Sequence, residues 1–274
     1  SILMTRDPAE MKNIFLSSDP DRPLVKSTYR SFQNGTPLHI AIKSQDPEIV
    51  GVIIQLFTDQ NKTPNTNSKV DTSSREFSRW INQADKNGHT ALHLASMGGN
   101  IEILTKLDSL GADPSIKSSK GKSVLHLAAE YDQIGAFYYY KDRLDLDTKD
   151  NAGNTPLIWT IKQRLNHETH LVASFLIAHA KINFNIQNDI GWTALHCATD
   201  EGKTWIVIKV VADGADKNMK TGEGESAIAL AQTSEGKIGC CQRTSGPLKI
   251  LQGPWTATGF VDFFFSDGNW FINK

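Results

Sequence analysis

Apolar residues fall three or four apart in two clear stretches, Ile101-Glu102-Ile103-Leu104-Thr105-Lys106-Leu107 and Trp205-Ile206-Val207-Ile208-Lys209-Val210-Val211. That spacing lays them along one face of a helix. Each helix runs out at a glycine, in Gly111-Ala112-Asp113 and Gly214-Ala215-Asp216, where a left-handed residue caps a helix cheaply. A shorter pattern precedes such helices. It reads Thr36-Pro37-Leu38-His39-Ile40-Ala41, then Thr90-Ala91-Leu92-His93-Leu94-Ala95, then Ser123-Val124-Leu125-His126-Leu127-Ala128. Thr155-Pro156-Leu157-Ile158-Trp159-Thr160 and Thr193-Ala194-Leu195-His196-Cys197-Ala198 continue it, and Ser226-Ala227-Ile228-Ala229-Leu230-Ala231 is a weaker sixth. The starts of these phrases lie 54, 33, 32, 38 and 33 residues apart.

Each phrase predicts the start of a first helix that pairs with a second. Thr or Ser is the N-cap, accepting from an otherwise orphan N–H. Pro37 and Pro156 stand at the first helical position, where no N–H is missed. Leu and Ala face the neighbouring repeat, the small Ala letting helix pairs stack closely, and the His reaches backbone or hydroxyl groups of an adjoining loop. Asp85-Lys86-Asn87-Gly88, Asp150-Asn151-Ala152-Gly153 and Asn188-Asp189-Ile190-Gly191 form tight, hairpin-like fingers between repeats. The pattern therefore predicts an all-α solenoid of about six helix-pair repeats over residues 33–232, with irregular caps. A period near 33 built on T-P-L-H-x-A resembles the ankyrin repeat.

Three departures interrupt the period. The first gap holds about 21 extra residues, which fall within 58–80 and read as an exposed loop rich in Pro, Ser, Thr and Asn. The fourth repeat is lengthened around Arg164-Leu165-Asn166-His167-Glu168-Thr169-His170; its two His and one Glu lack a further ligand at metal-site spacing and read as a polar turn. After Gln232 the helical pattern decays into an aromatic-rich tail over 233–274, with Trp255, Phe260, Phe263, Phe264, Phe265, Trp270 and Phe271. That tail caps the last repeat, leads into a segment beyond the chain, or reflects a mistaken boundary. Residues 1–32, with a short helix starting at Asp7-Pro8, read as an N-terminal capping half-repeat.

Composition narrows the function. Of 274 residues, 39% are hydrophobic and 22% charged, enough to bury a sizeable core. The net charge is −1, from 29 basic and 30 acidic residues, which argues against a nucleic-acid protein. No apolar run reaches the roughly 18–20 residues of a membrane span. Three cysteines, Cys197, Cys240 and Cys241, make no disulfide framework, so a reducing, cytoplasmic setting is expected. There is no signal-peptide pattern, and the start at Ser1 hints at a fragment.

No residue set stands out as catalytic, cofactor-binding or metal-binding. His39, His93, His126 and His196 recur at the repeat period, as structural residues do. Asp200-Glu201 falls at a helix-to-helix turn, Cys197 is a small apolar filler, and Gly222-Glu223-Gly224 is a finger rather than a phosphate loop. Cys240-Cys241 reads as incidental thiols or an acylated or oxidised pair.

Binding is the remaining activity, in a groove of fingers and first helices. The variable finger residues ahead of each cap are Gly35, His89, Lys122, Asn154, Trp192 and Glu225. Behind them stand Asn34, Ile40, Leu94, Leu127 and Trp159. Trp192, taken as an aromatic on an exposed tip, is the expected anchor for a protein or extended peptide.

More specific phrases are Gly111-Ala112-Asp113-Pro114-Ser115, Gly121-Lys122-Ser123-Val124-Leu125-His126-Leu127-Ala128-Ala129, Asp147-Thr148-Lys149-Asp150 and Gly153-Asn154-Thr155-Pro156-Leu157-Ile158-Trp159. The repeat is lengthened just after Trp159, and Gly224-Glu225-Ser226-Ala227-Ile228-Ala229-Leu230-Ala231 follows. In this order the chain resembles the ankyrin domain of the Asp-His-His-Cys-type palmitoyltransferases. The resemblance implies a Golgi or endomembrane enzyme whose cytosolic ankyrin domain recruits substrates by their extended peptides. Catalysis would belong to a separate membrane domain carrying the Asp-His-His-Cys motif, which this chain lacks. Asn34 matches the family, whereas Ile40 and Leu94 stand where it tends to carry Trp. The expectation is a protein-interaction module, the recruiting part of an S-palmitoyltransferase. The alternatives are part of the active acyltransferase itself, or a free-standing adaptor or inhibitor.

Overall fold

The repeated phrases become short helices whose caps are reciprocal. The backbone N–H of Thr36, Thr90, Ser123 or Thr193 donates to the ring of the His three residues on, closing a capping box at each start. A computed structural model of the chain describes residues 35–60, 75–163, 171–178, 182–237, 263–266 and 269–272. The N-terminal cap, Asn34, the added residues 164–170 and Cys240-Cys241 lie outside the described residues.

Two compact units divide at residue 179. The first begins with α1 (Pro37–Lys43) and α2 (Pro47–Gln60), followed by α3 (Arg75–Ile81). Three helix pairs follow: α4 (Ala91–Gly98) with α5 (Ile101–Ser109), α6 (Val124–Glu130) with α7 (Ile134–Tyr140), and α8 (Pro156–Lys162) with α9 (Leu171–Ala178). First helices stack on first helices, α1 on α4, α4 on α6 and α6 on α8. Small side chains permit this: Ala41, Ala95, Ala128 and Ala129 are all buried. The second helices close the core behind them with Ile103, Leu104, Leu107, Phe137, Tyr140, Val172 and Leu176.

The second unit holds α10 (Ala194–Asp200), α11 (Thr204–Ala212) and α12 (Ala227–Lys237). Here α10 packs on both α11 and α12, burying Leu195, Ala198, Ile206, Val207, Val210 and Leu230. The repeats are thus all-α.

Three features of the chain depart from the sequence reading. The stretch 58–80 is helical at both ends, because α2 runs on to Gln60 and α3 begins at Arg75. Phe77, Trp80 and Ile81 sit at i, i+3 and i+4, one helical face, and all three are buried. The Trp80 ring stacks on Phe57 with centroids 4.0 Å apart and an interplanar angle of 14°. Next, α12 continues past Gln232 to Lys237; no proline interrupts it, and Gly236 costs a helix only about 1 kcal/mol. Lastly, the tail expected to be irregular contains β1 (Phe263–Ser266) and β2 (Asn269–Ile272), antiparallel with Phe264 opposite Phe271.

Candidate functional site

The fingers are five-residue hairpins built to one plan. In the first unit they are 85–89, 118–122 and 150–154; in the second, 188–192 and 221–225. The first residue's N–H donates to the fifth residue's carbonyl, at 2.8–3.0 Å. The first residue's side chain then accepts from N–H groups of its own finger. Asp85 Oδ1 takes Asn87 and His89, Asp150 Oδ1 takes Ala152 and Asn154, and Asn188 Oδ1 takes Ile190 and Trp192. A carboxylate or amide there replaces backbone partners that a tight turn cannot supply. The fourth residue is glycine with positive φ each time. At Gly88 and Gly191 the next finger also approaches closely, and a Cβ would lie 2.2 Å from Ser119 N and 2.3 Å from Gly222 N respectively.

Within each unit backbones tie consecutive fingers, and a second tie runs from first helices to residues in or just before the next finger. The finger backbones meet at Ser119 N–H to Asn87 carbonyl (3.0 Å), Asn151 N–H to Lys120 carbonyl (3.0 Å) and Gly222 N–H to Ile190 carbonyl (2.9 Å). The phrase histidines make the second tie. His39 Nε2 donates to the His89 carbonyl at 2.8 Å, His93 to Lys122 at 3.0 Å, His126 to Asn154 at 3.0 Å and His196 to Met219 at 3.1 Å. Each Nδ1 accepts the N–H of its own cap residue, which fixes the neutral tautomer with the proton on Nε2. Burial holds His39 and His196 below the ordinary histidine range and takes His93 and His126 to about 4, against the opposing pull of their backbone hydrogen bonds.

On this frame the first unit carries a connected polar and aromatic cluster. Trp159, on α8, donates its indole N–H to Asp150 Oδ2 at 2.8 Å. The Lys122 ammonium sits 3.4 Å from the Trp159 ring centroid, a cation–π contact worth about 2 kcal/mol when desolvated. The same ammonium lies 2.6 Å from Glu130 Oε2. Lys162 donates to Asn154 Oδ1 at 3.0 Å. Burial pushes the Asp150 carboxyl up, but hydrogen bonds from Trp159, Asn154 and Ala152 outweigh it and hold the group below its ordinary value. Beside the cluster, burial lowers half-buried His89 against the pull of Asp85. The arrangement offers a fixed indole with charged neighbours of both signs.

This placement revises the expected contact residues. Gly35, Ile40, Leu94, Leu127, Lys122 and Asn154 are buried, Lys122 leaving only 6% of its surface exposed. Their side chains pack inside the stack. The reason is the stacking of first helices, which closes over Ile40, Leu94 and Leu127, and the contacts of Lys122 with Trp159 and Glu130 and of Asn154 with Lys162. His89, Trp159, Trp192 and Glu225 remain partly exposed. Trp192 is not at a tip. It closes the base of its finger, and the tip belongs to Ile190, 59% exposed. Glu130 and Lys162 join the cluster although no periodic signal singled them out, and Asp150, legible only as a finger residue, joins it through Trp159.

Among the described residues no group of three or more His, Cys, Asp or Glu side chains is placed to hold a metal ion. No described helix is long and apolar enough to cross a membrane.

Comparison with known proteins agrees with the repeat architecture. The family model described as "Ankyrin repeats" matches residues 13–118 and 125–221. Human neurogenic locus notch homolog protein 1 is 32% identical over 152 residues, 55% of this chain and 6% of its own length. Palmitoyltransferase AKR1 of Lachancea kluyveri is 29% identical over 147 residues, 52% of this chain and 19% of its own. The chain thus spans less than a fifth of either relative. Among solved structures, the ankyrin repeat domain of Bcl-3, from the IkappaB protein family, superposes with a TM-score of 0.60 at 23% identity, covering 92% of this chain and 96% of that one.

Proposed function

Because the chain belongs to the ankyrin-repeat family of protein-interaction modules, we propose that it binds an extended segment of a partner across the fingers and first helices of its first unit. The carrying observation is Trp159, half-exposed yet held by Asp150 at 2.8 Å and Lys122 at 3.4 Å. An aromatic fixed before the partner arrives loses little freedom on binding, and such residues dominate interface energies.

The partner is a substrate in this reading, and the chain is the recruiting part of a protein S-palmitoyltransferase on the cytosolic side of an endomembrane. Similarity to palmitoyltransferase AKR1 and the lengthened repeat after Trp159 support it. Transfer of the acyl group would then fall to another part of the whole protein. Comparable similarity to notch 1 favours a second reading, an ankyrin adaptor with no acyl transfer attached.

Peptides selected from a displayed random library against the full chain provide the probe. Trp159→Ala is expected to weaken the selected peptides at least tenfold, in line with a hot spot of about 2 kcal/mol, while Trp192→Ala leaves them unchanged. Equal affinity for Trp159→Ala removes the proposed site. Metabolic palmitate labelling separates the two readings. Cellular proteins captured by wild type but not by Trp159→Ala are S-acylated if the chain recruits substrates, and unlabelled if it is an adaptor.

A further inference from the structure

The finger tips of the first unit are basic, and the acids around them are already engaged. Lys86 and Lys120 occupy tip positions of consecutive fingers, and both are exposed. Lys117 is also exposed and lays its ammonium 2.9 Å from the Lys149 carbonyl, just before the next finger. Lys43 ends α1.

The carboxylates of these fingers face inward. Asp85 and Asp150 each accept two N–H groups of their own fingers, and Asp150 also takes the Trp159 indole. Glu130 is paired with Lys122. Among the described residues none of Lys86, Lys117 and Lys120 is paired with a carboxylate. The remaining tip positions of this unit, Asn87, Ser119, Asn151 and Ala152, are neutral. The second unit has the opposite character, with exposed Asp189 and Glu223 at its tips. A chain of net charge −1 therefore carries exposed ammonium groups on or next to fingers 85–89 and 118–122, which precede the finger that holds Trp159. Exposed ammonium groups on a rigid scaffold raise the association rate and the preference for carboxylate partners.

We propose that the first unit selects an acidic stretch of its peptide partner, with carboxylates meeting Lys86, Lys117 and Lys120 beside the Trp159 anchor. This rests on the peptide-binding reading above. Phosphate backbones carry the same charge. However, the basic tips number few, contain no arginine, and stand on a chain with no net positive charge, which favours an acidic peptide over a nucleic acid.

The test uses the full chain, a displayed random-peptide library, and fluorescent copies of the recovered peptides. Recovered peptides are expected to carry net negative charge. Their affinity should fall as salt is raised toward about 1 M, where the screening length shrinks to about 3 Å. The Lys117→Glu/Lys120→Glu double variant, altered only at exposed positions, should bind them roughly tenfold more weakly. Recovered peptides without net negative charge overturn the proposal, as does unchanged affinity for the double variant. An oligothymidylate that displaces the peptides and is itself lost in the double variant overturns it in favour of nucleic acid. If the lysine variant loses binding but Trp159→Ala does not, the acidic preference stands and the Trp159 site falls.

Discussion

Acidifying the protein from about pH 7 toward pH 4 is expected to remove several kcal/mol of folding stability, most of it above pH 4. The source is the paired tie made by His93 and His126. Both rings are fully buried and both nitrogens are spent: Nδ1 accepts the cap N–H, and Nε2 donates to the next finger. A second proton would put a desolvated cation where Nδ1 already faces a donor. In the unfolded chain these histidines take up protons from about 6.5 downward, whereas in the native state they do so only near 4. Between those values the unfolded chain holds more protons, so stability rises with pH. The contribution is complete above about 6.5 and is lost as pH falls to 4. A tenfold difference in proton affinity between the two states corresponds to about 1.36 kcal/mol, giving up to ~3 kcal/mol per histidine. Burial lowers His39 and His196 in the same direction. Asp108, held down by Arg143, and Asp150 release their contributions only near and below the ordinary carboxylate value of 3.8, so the windows separate. Urea unfolding followed by circular dichroism at about pH 7 and pH 5 reads the effect. His93→Gln and His126→Gln should each flatten the pH dependence while lowering stability at pH 7. An unchanged slope in both variants would show that the histidines are not its source.

Trp80→Ala is expected to cost about 3–5 kcal/mol, the range for emptying a large aromatic site. Trp80 is 5% exposed, stacked on Phe57 at 4.0 Å and 5.8 Å from Phe77. Removing the indole strips one wall from this three-ring cluster, and the helices on either side cannot close the gap without repacking. Trp80→Phe keeps an apolar ring and should cost much less. If residues 58–80 were an exposed loop throughout, Trp80→Ala would change stability by no more than about 0.5 kcal/mol. A urea midpoint indistinguishable from wild type would therefore remove α3 from the core.

The contrast between these residues shows what a sequence of this kind discloses. The caps, the Leu and Ala of each phrase and the finger glycines follow from a recurring local demand, so the period exposes them. Trp80 belongs to no recurring phrase. The polar residues around 61–68 mask the i, i+3, i+4 face of Phe77, Trp80 and Ile81 when the stretch is judged by average polarity. Within the candidate site, the variable finger positions were legible, but their exposure was not. Lys122 looks like a solvent-facing finger residue until α8 brings Trp159 over its ammonium and Glu130 beside it. Trp192 looks like a tip residue until the Asn188 side chain, accepting its N–H, fixes it at the finger base. The first outcome depends on a contact between repeats and the second on the hydrogen bonding within one finger, and the period alone specifies neither.

The most direct test of the binding account is backbone hydrogen exchange on the full chain, with and without a saturating library-selected peptide. The account predicts added protection at fingers 118–122 and 150–154 and at the start of α8 around Trp159, with the outward second helices α5 and α7 unchanged. Protection confined to α5, α7 and α9, or to the second unit, would contradict it and move the binding face away from Trp159.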